Sequence, residues 1–321
     1  RTGMALFLSE EDVKKLLTVE MALEAVESAH RDLANGQALD TPRARSRLPQ
    51  TVLHILQGAL PAQGVLGYKS YTSNRSGNRF LVHLFDAASG RLKAVIEADY
   101  LGMMRTGAVS GLAAKWLARP DATVAGVFGA GWQAEGHVRA ICQVLPLERV
   151  KVFSRHADKL HAFCQRLSGL TGVAVVPAGN AEETVRGSDL LGTVTTAAQP
   201  VFDAEWLEEG VHINAAGSNA LIRQELSEAA IRRCDLIAVD AVPTALAEAG
   251  DLLPPLEKGR LHPRQLVELG DVIIGRHPGR MSAAQITLFE SQGMAIQDLA
   301  VALRLVAAAE AAGLGQELPL Q

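Results

Sequence analysis

The chain has 321 residues, more than one hydrophobic core usually organises, so two domains are expected. Hydrophobic residues make up 48% and charged residues 21% of the composition, which excludes an intrinsically disordered chain. Lys and Arg together number 31 against 35 for Asp and Glu, and the resulting net charge of −4 disfavours a nucleic-acid partner, which would need a clustered basic excess.

A membrane partner, a secreted location and a metal site are also not expected. Every apolar run is broken by a charge, Gly or Pro before the roughly 18 residues that a membrane span needs. The first residues lack the apolar stretch of a signal peptide. The Cys residues form no CxxC pair and the His residues form no HExxH motif. A cytoplasmic protein without a bound metal is the expectation.

The first part of the chain predicts a helix followed by an antiparallel sheet. Ser9 is a candidate N-cap, the helical pattern breaks near Thr18, and Gly36 is placed to end it. A small-residue helix is predicted over 101–117, ending before Pro120. Between these helices, three stretches have strand character, the last with a DAASG hairpin turn: 51–60, 64–73 and 79–98.

After Pro120 the chain repeats a pattern of strand, tight turn and helix. This alternation predicts βαβ units and a parallel sheet. Further apolar strands are predicted at HINAAG and LIAVD. Residues 285–314 are predicted to form one long small-residue helix or a helix pair, with no strand after it.

A dinucleotide-binding turn is predicted between the first strand of this region and the next helix. Gly129, Gly131, Gln133 and Ala134 belong to a G-x-G-x-x-A motif. In such a motif the first glycine permits the turn, the second lets the backbone approach a pyrophosphate, and the alanine allows close helix packing. The alternative is a glycine-rich turn kept only for packing.

The residues after the second strand of this region favour NADP(H) over NAD(H). An NAD enzyme usually carries Asp or Glu there, whereas Ser154 and Arg155 occupy this position and suit a 2′-phosphate. NAD(H) remains the alternative if Arg155 is only a solvated charge and Asp158 binds the ribose. Thr195, near the end of a later strand, is a candidate contact for the ribose or nicotinamide, with an ordinary turn residue as the alternative.

Three basic residues in the first part of the chain are candidates for binding a carboxylate. Arg43, Lys69 and Arg105 lie in the segments TPRAR, GYKSY and MMRTG. Arginine pairs with a carboxylate through two parallel hydrogen bonds, which fixes its orientation. Spacing alone does not show that the three converge, and surface charges or ordinary ion pairs are the alternative. Arg105 stands out because it interrupts a small, apolar run.

The chain resembles the ornithine cyclodeaminase and mu-crystallin family, which includes an archaeal-type alanine dehydrogenase and reductases of cyclic ketimines. The matching motifs occur in family order over nearly the whole chain: TPRAR, GYKSY, HLFDAASGRLKAV, MMRTGAVSGLAAK, VFGAGWQA, VHINAAGSN with RQEL, LIAVD and ITLFESQGMAIQDLA.

The resemblance implies an α/β fold in which a Rossmann parallel-sheet domain is inserted into a mixed α+β domain for substrate binding and dimerisation. The expected ranges are 118–300 for the Rossmann domain and 1–117 plus 301–321 for the other, within a homodimer. Carried over by position, Arg43, Lys69 and Arg105 bind the substrate carboxylate, although Arg45 also lies in the first motif.

Further roles follow from the same resemblance. Lys69, Arg105 and Asn219 are the predicted catalytic residues, and Gly217 and Ser218 join the predicted cofactor-binding residues. The predicted substrate is a small amino or imino acid.

One departure from the family pattern bears on the reaction. Ornithine cyclodeaminases carry an Asp where this chain has Asn219, and an amide cannot accept a proton as a carboxylate does. Reduction of an imino acid such as pyrroline-2-carboxylate to an L-amino acid is therefore expected. Asp298 is a candidate substitute for the missing carboxylate. The alternatives are cyclodeamination of L-ornithine to L-proline with release of ammonia, and a mu-crystallin-like protein that binds NADPH and a ligand without turnover.

Overall fold

The computed structural model describes residues 4–319, which form two compact units. Of these described residues, unit 1 contains those up to Arg105 and from Met294 onward, and unit 2 contains Thr106–Gly293. The first boundary between the units, after Arg105, lies inside the range 1–117 predicted for the substrate-binding domain. The second boundary, after Gly293, lies near the end of the range 118–300 predicted for the Rossmann domain. The predicted limits at residues 117 and 300 fall at the end of one helix, Asp99–Leu117, and within another, Ala295–Ala312. The role expected for each domain stays a prediction.

The elements up to the middle of the chain are β1 (Ala5–Leu8), α1 (Glu10–Leu16), α2 (Val19–Ala34), β2 (Leu39–Arg47), β3 (Val52–Leu60), β4 (Val65–Asn74), β5 (Gly77–Asp86), β6 (Leu92–Glu97), α3 (Asp99–Leu117), β7 (Val124–Phe128), α4 (Trp132–Val144), β8 (Arg149–Phe153) and α5 (Ala157–Thr171). The remainder are β9 (Ala174–Pro177), α6 (Ala181–Val185), β10 (Leu190–Thr193), β11 (His212–Ala215), α7 (Glu228–Arg232), β12 (Leu236–Val239), α8 (Val242–Glu248), α9 (Leu253–Glu257), β13 (Leu266–Glu268), α10 (Leu269–Ile273), β14 (Thr287–Glu290), α11 (Ala295–Ala312) and β15 (Gln316–Leu318).

The helix ends near the start of the chain follow the predicted capping residues. Ser9 and Asp12 form a reciprocal capping box at α1. The hydroxyl of Thr18 accepts a hydrogen bond from the backbone of Met21 and so caps α2, which confirms the predicted break. Gly36 adopts a φ of +69° just beyond α2, a conformation that glycine takes without steric cost.

The described strands of unit 1 form one mainly antiparallel sheet, as predicted. Its order is β15-β1-β6-β5-β4-β3-β2, and only the β1–β6 pair is parallel. α11 packs against this sheet, and two glycines allow the approach. A Cβ atom at Gly58 or Gly67 would lie 3.0 Å from a side-chain carbon of Ile296 or Leu299, respectively.

Unit 2 contains the predicted parallel sheet. Its order is β13-β12-β14-β11-β10-β7-β8-β9, and every described pair is parallel. From β9 to β14 the order corresponds to the strand order 3-2-1-4-5-6 of the Rossmann fold. α3 packs closely on α4, since a Cβ atom at Gly107 would lie 2.2 Å from the backbone of Gly136.

The prediction for residues 285–314 was wrong in two respects. Thr287–Glu290 is a strand in the interior of the parallel sheet, between β11 and β12, and β15 follows α11. All residues of β14 are buried, so the stretch lacks the alternation that distinguishes a strand from a buried helix. Among the described helices, none is long and apolar enough to span a membrane.

Candidate active site

Three charged side chains from distant parts of the chain meet in unit 1. Lys69 lies on β4, Arg105 on α3 and Asp298 in the first turn of α11. Asp298 Oδ1 accepts hydrogen bonds from Lys69 Nζ at 2.9 Å and from Arg105 Nε at 3.0 Å. The side chains are 4%, 7% and 0% exposed, respectively. One buried carboxylate therefore holds two of the predicted substrate-binding cations.

The hydrogen-bonded network continues beyond this ion cluster. Arg105 Nη1 donates to Gln297 Oε1 at 3.0 Å, and Gln297 Nε2 lies 3.1 Å from Nε2 of His30 on α2. All of these side chains are buried. A buried polar group is costly unless it is hydrogen-bonded, so the network holds the Arg105 guanidinium in one orientation.

The environment of Lys69 makes its ammonium a better proton donor. Burial, and next the charge of Arg105, lower the pKa of Lys69 to about 8, although the charge and hydrogen bond of Asp298 act in the opposite direction. An acid with a pKa near the working pH is well suited to general acid catalysis. Lys69 can therefore both attract an anion and donate a proton.

Of the two arginines in the first motif, Arg43 contributes to the pKa shift of Lys69, and Arg45 is not among the causes of that shift. The guanidinium carbon of Arg43 lies 6.0 Å from the ring centroid of Tyr71. Arg45 lies opposite His54 in the register of β2 and β3. Burial, and then the charges of three arginines, lower the pKa of His54 to about 4. Which of the two is the motif arginine stays a prediction.

The glycine-rich turn of unit 2 has the shape that a pyrophosphate requires. Gly129 adopts a φ of +114°, and a Cβ atom there would lie 2.6 Å from the carbonyl oxygen of Val194. A Cβ atom at Gly131 would meet no atom within 4 Å, so glycine leaves open space at the start of α4. Within residues 4–319, no side chain caps α4. Its first N–H groups can therefore bind an anion.

The other residues of the motif divide between packing and solvent. Ala134 is fully buried against the strand side of α4, in the hydrophobic cluster that includes Val127. Gln133 is half-buried, and its backbone carbonyl oxygen lies 2.8 Å from Nδ1 of His137. The close packing of Ala134 agrees with the role of that position in the motif.

Ser154 and Arg155 follow β8, at the position where a Rossmann domain binds the adenosine ribose. Ser154 is half-buried and its hydroxyl accepts a hydrogen bond from the backbone N–H of His156 at 3.2 Å. Arg155 is exposed, and Asp158 lies in the first turn of α5. The role of Arg155 toward a 2′-phosphate stays a prediction.

The loops after β10 and β11 are joined by a buried glutamate. Glu225 accepts hydrogen bonds from the backbone N–H and the hydroxyl of Thr195, both at 2.6 Å. Its other oxygen accepts from the backbone N–H of Gly217 at 2.8 Å. Two predicted cofactor-binding residues are thus held by one side chain.

The next two residues of the β11 loop have partners of their own. The buried hydroxyl of Ser218 donates to Glu290 Oε1 at the end of β14. Asn219 Oδ1 accepts from Arg223 Nη1 at 3.4 Å, within the same loop. Burial and then the charge of Asp251 raise the pKa of Glu290 well above its usual value.

Sequence reasoning missed several side chains of this arrangement. Gln297, His30 and Glu225 had no assigned role, and Asp298 was considered only as a substitute for a missing carboxylate. Gln297 and Asp298 lie in ITLFESQGMAIQDLA and Glu225 lies in RQEL, both of which carry the family resemblance. Their position as polar residues inside these motifs was the signal from which a role in the site could have been predicted.

A model of the ornithine cyclodeaminase/mu-crystallin family matches residues 4–312. Delta(1)-pyrroline-2-carboxylate reductase of Bacillus cereus (strain ZK / E33L) is 33% identical over 325 positions, covering 98% of this chain and 99% of that protein. Alanine dehydrogenase of Archaeoglobus fulgidus is 34% identical, covering 92% of each. The structure of Thermococcus litoralis delta(1)-pyrroline-2-carboxylate reductase in complex with NADH and L-proline has a TM-score of 0.93 and 30% identity, covering 98% of this chain and 100% of that one. The expected resemblance is confirmed, and the chain belongs to the ornithine cyclodeaminase/mu-crystallin family.

Proposed function

We propose that the protein is an imine reductase that uses NADPH to convert a small cyclic imino acid, such as pyrroline-2-carboxylate, into the L-amino acid. The observation that carries this proposal is the buried cluster of Lys69, Arg105 and Asp298, which has two cations and one anion. The net positive charge suits a substrate carboxylate. The names of the B. cereus and T. litoralis relatives support the choice of substrate.

Each basic residue has a distinct role in this proposal. Arg105 uses Nε and Nη1 within the protein, and among the described residues Nη2 has no hydrogen-bond partner, which leaves it for the substrate carboxylate. Arg43 provides a second cation for the same carboxylate. Lys69 hydrogen-bonds the carboxylate or donates its proton to the imine nitrogen. In the second case, solvent then returns a proton to the neutral Lys69 side chain.

A reduced nicotinamide, when bound, would supply the hydride for the imine carbon. The residues fit such a cofactor, because Gly131 leaves open space at a helix start that no described side chain caps. Gly129, Gln133 and Ala134 shape this turn, while Thr195, Gly217 and Ser218 flank the nicotinamide half. Arg155, with Ser154 beside it, binds the 2′-phosphate, which favours NADPH over NADH.

Asn219 favours reduction over cyclodeamination. Reduction requires one proton at nitrogen, which Lys69 provides, whereas expulsion of ammonia from ornithine needs further proton transfers that an amide cannot support. Asp298 Oδ1 accepts from two cations, and Asp298 Oδ2 is buried without a hydrogen-bond partner among the described residues, so in this proposal Asp298 holds Lys69 and Arg105 and does not replace the missing carboxylate. The predicted role of Asn219 is then to hydrogen-bond the substrate or cofactor. Homodimer assembly and a cytoplasmic location stay predictions.

The proposal is tested by following NADPH consumption with pyrroline-2-carboxylate and identifying the product, with NADH in parallel. L-Ornithine with catalytic NAD is assayed for ammonia in the same preparation. Saturable NADPH oxidation with formation of L-proline is the expected result. Ammonia release without net change in cofactor would instead establish a cyclodeaminase, and tight NADPH binding without turnover on any imino acid would establish a binding protein.

A further inference from the structure

Glu225 is a buried side chain that the proposed mechanism does not use. It is 0% exposed, and both of its carboxylate oxygens face backbone or hydroxyl donors of two different loops. Three hydrogen bonds connect it to Thr195 after β10 and Gly217 after β11. A charged carboxylate accepts such bonds more strongly than a neutral group.

The position of Glu225 is itself fixed by a second carboxylate. Asp251 Oδ1 accepts from the backbone N–H groups of Glu225 and Leu226 at 2.8 and 3.0 Å. The contact with Gly217 is also tight, because a Cβ atom there would lie 2.4 Å from Glu225 Cδ and 2.4 Å from the carbonyl oxygen of Thr195. The geometry of both loops therefore depends on the length and the charge of this one side chain.

The strand order places these loops in the second half of the Rossmann fold. β7 and β8 carry the glycine-rich turn and Arg155, which belong to the pyrophosphate and adenosine side. β10 and β11 lie on the other side of β7 and occupy the fourth and fifth places of the 3-2-1-4-5-6 order. A dinucleotide lies across the point where the strand order reverses, so the loops after β10 and β11 belong to its nicotinamide half.

We propose that Glu225 is a positioning residue for the nicotinamide half of the cofactor, acting through Thr195 and Gly217. The inference rests on the proposed use of a nicotinamide cofactor and does not depend on which substrate is reduced. If Glu225 served only to stabilise the fold, its substitution would weaken the binding of every ligand of unit 2 equally. A positioning residue instead affects the binding of the nicotinamide half alone.

Glu225→Gln is the test, because glutamine keeps the length of the side chain but replaces one acceptor oxygen with an NH2 group. That group would face either the N–H of Gly217 or the two donors of Thr195, and a donor facing a donor is repelled. The dissociation constant of NADPH is measured by energy transfer from tryptophan to the nicotinamide. Binding of adenosine 2′,5′-bisphosphate, which contains only the adenosine half, is measured by calorimetry.

The expected result is that Glu225→Gln raises the dissociation constant of NADPH about 10-fold or more, the effect of losing one charged hydrogen bond. Binding of adenosine 2′,5′-bisphosphate is expected to stay within about twofold of wild type. Equal weakening of both ligands, or unchanged NADPH binding, would overturn the proposal.

A second pair of variants keeps the test sharp if Glu225→Gln fails to fold. Thr195→Val removes the hydroxyl that donates to Glu225 and accepts from the backbone N–H of Ala197, while leaving the carboxylate in place, and Thr195→Ser retains the hydroxyl. Weaker NADPH binding in the first variant but not in the second is expected, with the adenosine fragment unaffected in both. The same weakening in both variants would contradict the role of the hydroxyl bond to Glu225.

Nucleotide binding is measured without any imino acid, so this test is separate from that of the reductase. A wild-type protein that binds NADPH but reduces no imino acid would remove the proposed function and leave the inference about Glu225 intact. A wild-type protein that binds NADPH no more tightly than adenosine 2′,5′-bisphosphate would overturn the inference, because the nicotinamide half would then add nothing to the affinity.

Discussion

Lys69 Nζ lies 2.9 Å from Asp298 Oδ1, although 229 residues separate the two positions in the sequence. The pair is buried, and Arg105 shares the same carboxylate oxygen. Removing one partner of a buried ion pair leaves an uncompensated charge, so the three side chains behave as one unit. Hydrogen bonds within the protein hold Lys69 and Arg105 in place, and such preorganisation lowers the cost of orienting a carboxylate.

Arg105→Ala should raise the KM for the imino acid by about 10- to 100-fold, because a hydrogen bond to a charged group contributes about 1.5–3 kcal/mol. NADPH binding should change little. Steady-state kinetics with both substrates varied measures the two effects separately. Arg91→Ala, at an exposed arginine of unit 1, is the control and should behave like wild type. An unchanged KM in Arg105→Ala would exclude Arg105 from substrate binding.

The rate of reduction should fall as the pH rises through about 8, where Lys69 loses its proton. Below that pH the ammonium is present to attract the carboxylate and donate a proton, and above it both contributions are lost. Lys69→Arg retains the charge at all accessible pH values, so its lower rate should show no such decline. A wild-type decline near pH 8 that persists unchanged in Lys69→Arg would assign the titration to another group.

Asp298→Asn should shift the alkaline limit of activity to lower pH. Asp298 raises the pKa of Lys69 through its charge and its hydrogen bond, so removing the charge lets burial and Arg105 lower that pKa further. The turnover rate should also fall by about 10- to 100-fold, as for the loss of a charged hydrogen bond. The pH profile of kcat measures the shift, after melting curves establish that the variant folds. A limit that stays near pH 8 would contradict this coupling.

Arg155→Ser should raise the KM for NADPH by about 10- to 100-fold and leave the KM for NADH almost unchanged, because only NADPH carries the 2′-phosphate. Arg149→Ser is a matched control, since Arg149 begins the same strand that Arg155 follows. The ratio of kcat/KM for the two cofactors is the measurement. Parallel loss of activity with both cofactors would indicate that Arg155 does not read the phosphate.

The free energy of unfolding should fall less between neutral and alkaline pH in Glu290→Gln than in the wild type. The folded pKa of Glu290 is raised by burial, and then by Asp251 among other causes. The folded protein therefore keeps a proton that the unfolded chain releases above its normal pKa. Each such proton lowers the free energy of unfolding by about 1.4 kcal/mol per pH unit as the pH rises toward the folded value. Urea denaturation of both proteins at pH 6 and pH 9 measures the difference. An equal change in the free energy of unfolding between pH 6 and pH 9 in both proteins would contradict this role of Glu290.

Much of the parallel sheet could be predicted because its signals are local. The glycine turn and the alternation of strand and helix act within a few positions, as does the cap at Ser9 that marks the first helix of unit 1. β2 was missed because Pro42 and a register shift between Thr41 and Ala44 disturb its alternation. A short, fully buried strand such as β14 carries no periodicity at all.

The candidate site was less accessible from sequence because its contacts are long-range. The resemblance to a family indicated Lys69 and Arg105, but no local pattern shows that Asp298 lies between them. Glu225 was hidden for the same reason, since its partners lie in two loops that only the sheet order brings together. Spacing in sequence carries no information about such contacts unless they occur within one helix or hairpin.

The most direct test of the central claim is hydride transfer itself. NADPH carrying deuterium at the transferable C4 position is incubated with the enzyme and pyrroline-2-carboxylate, and the product is analysed by mass spectrometry and NMR. The account predicts L-proline one mass unit heavier, with deuterium at the α-carbon. Unlabelled L-proline, or recovery of the imino acid with intact NADPH, would contradict it.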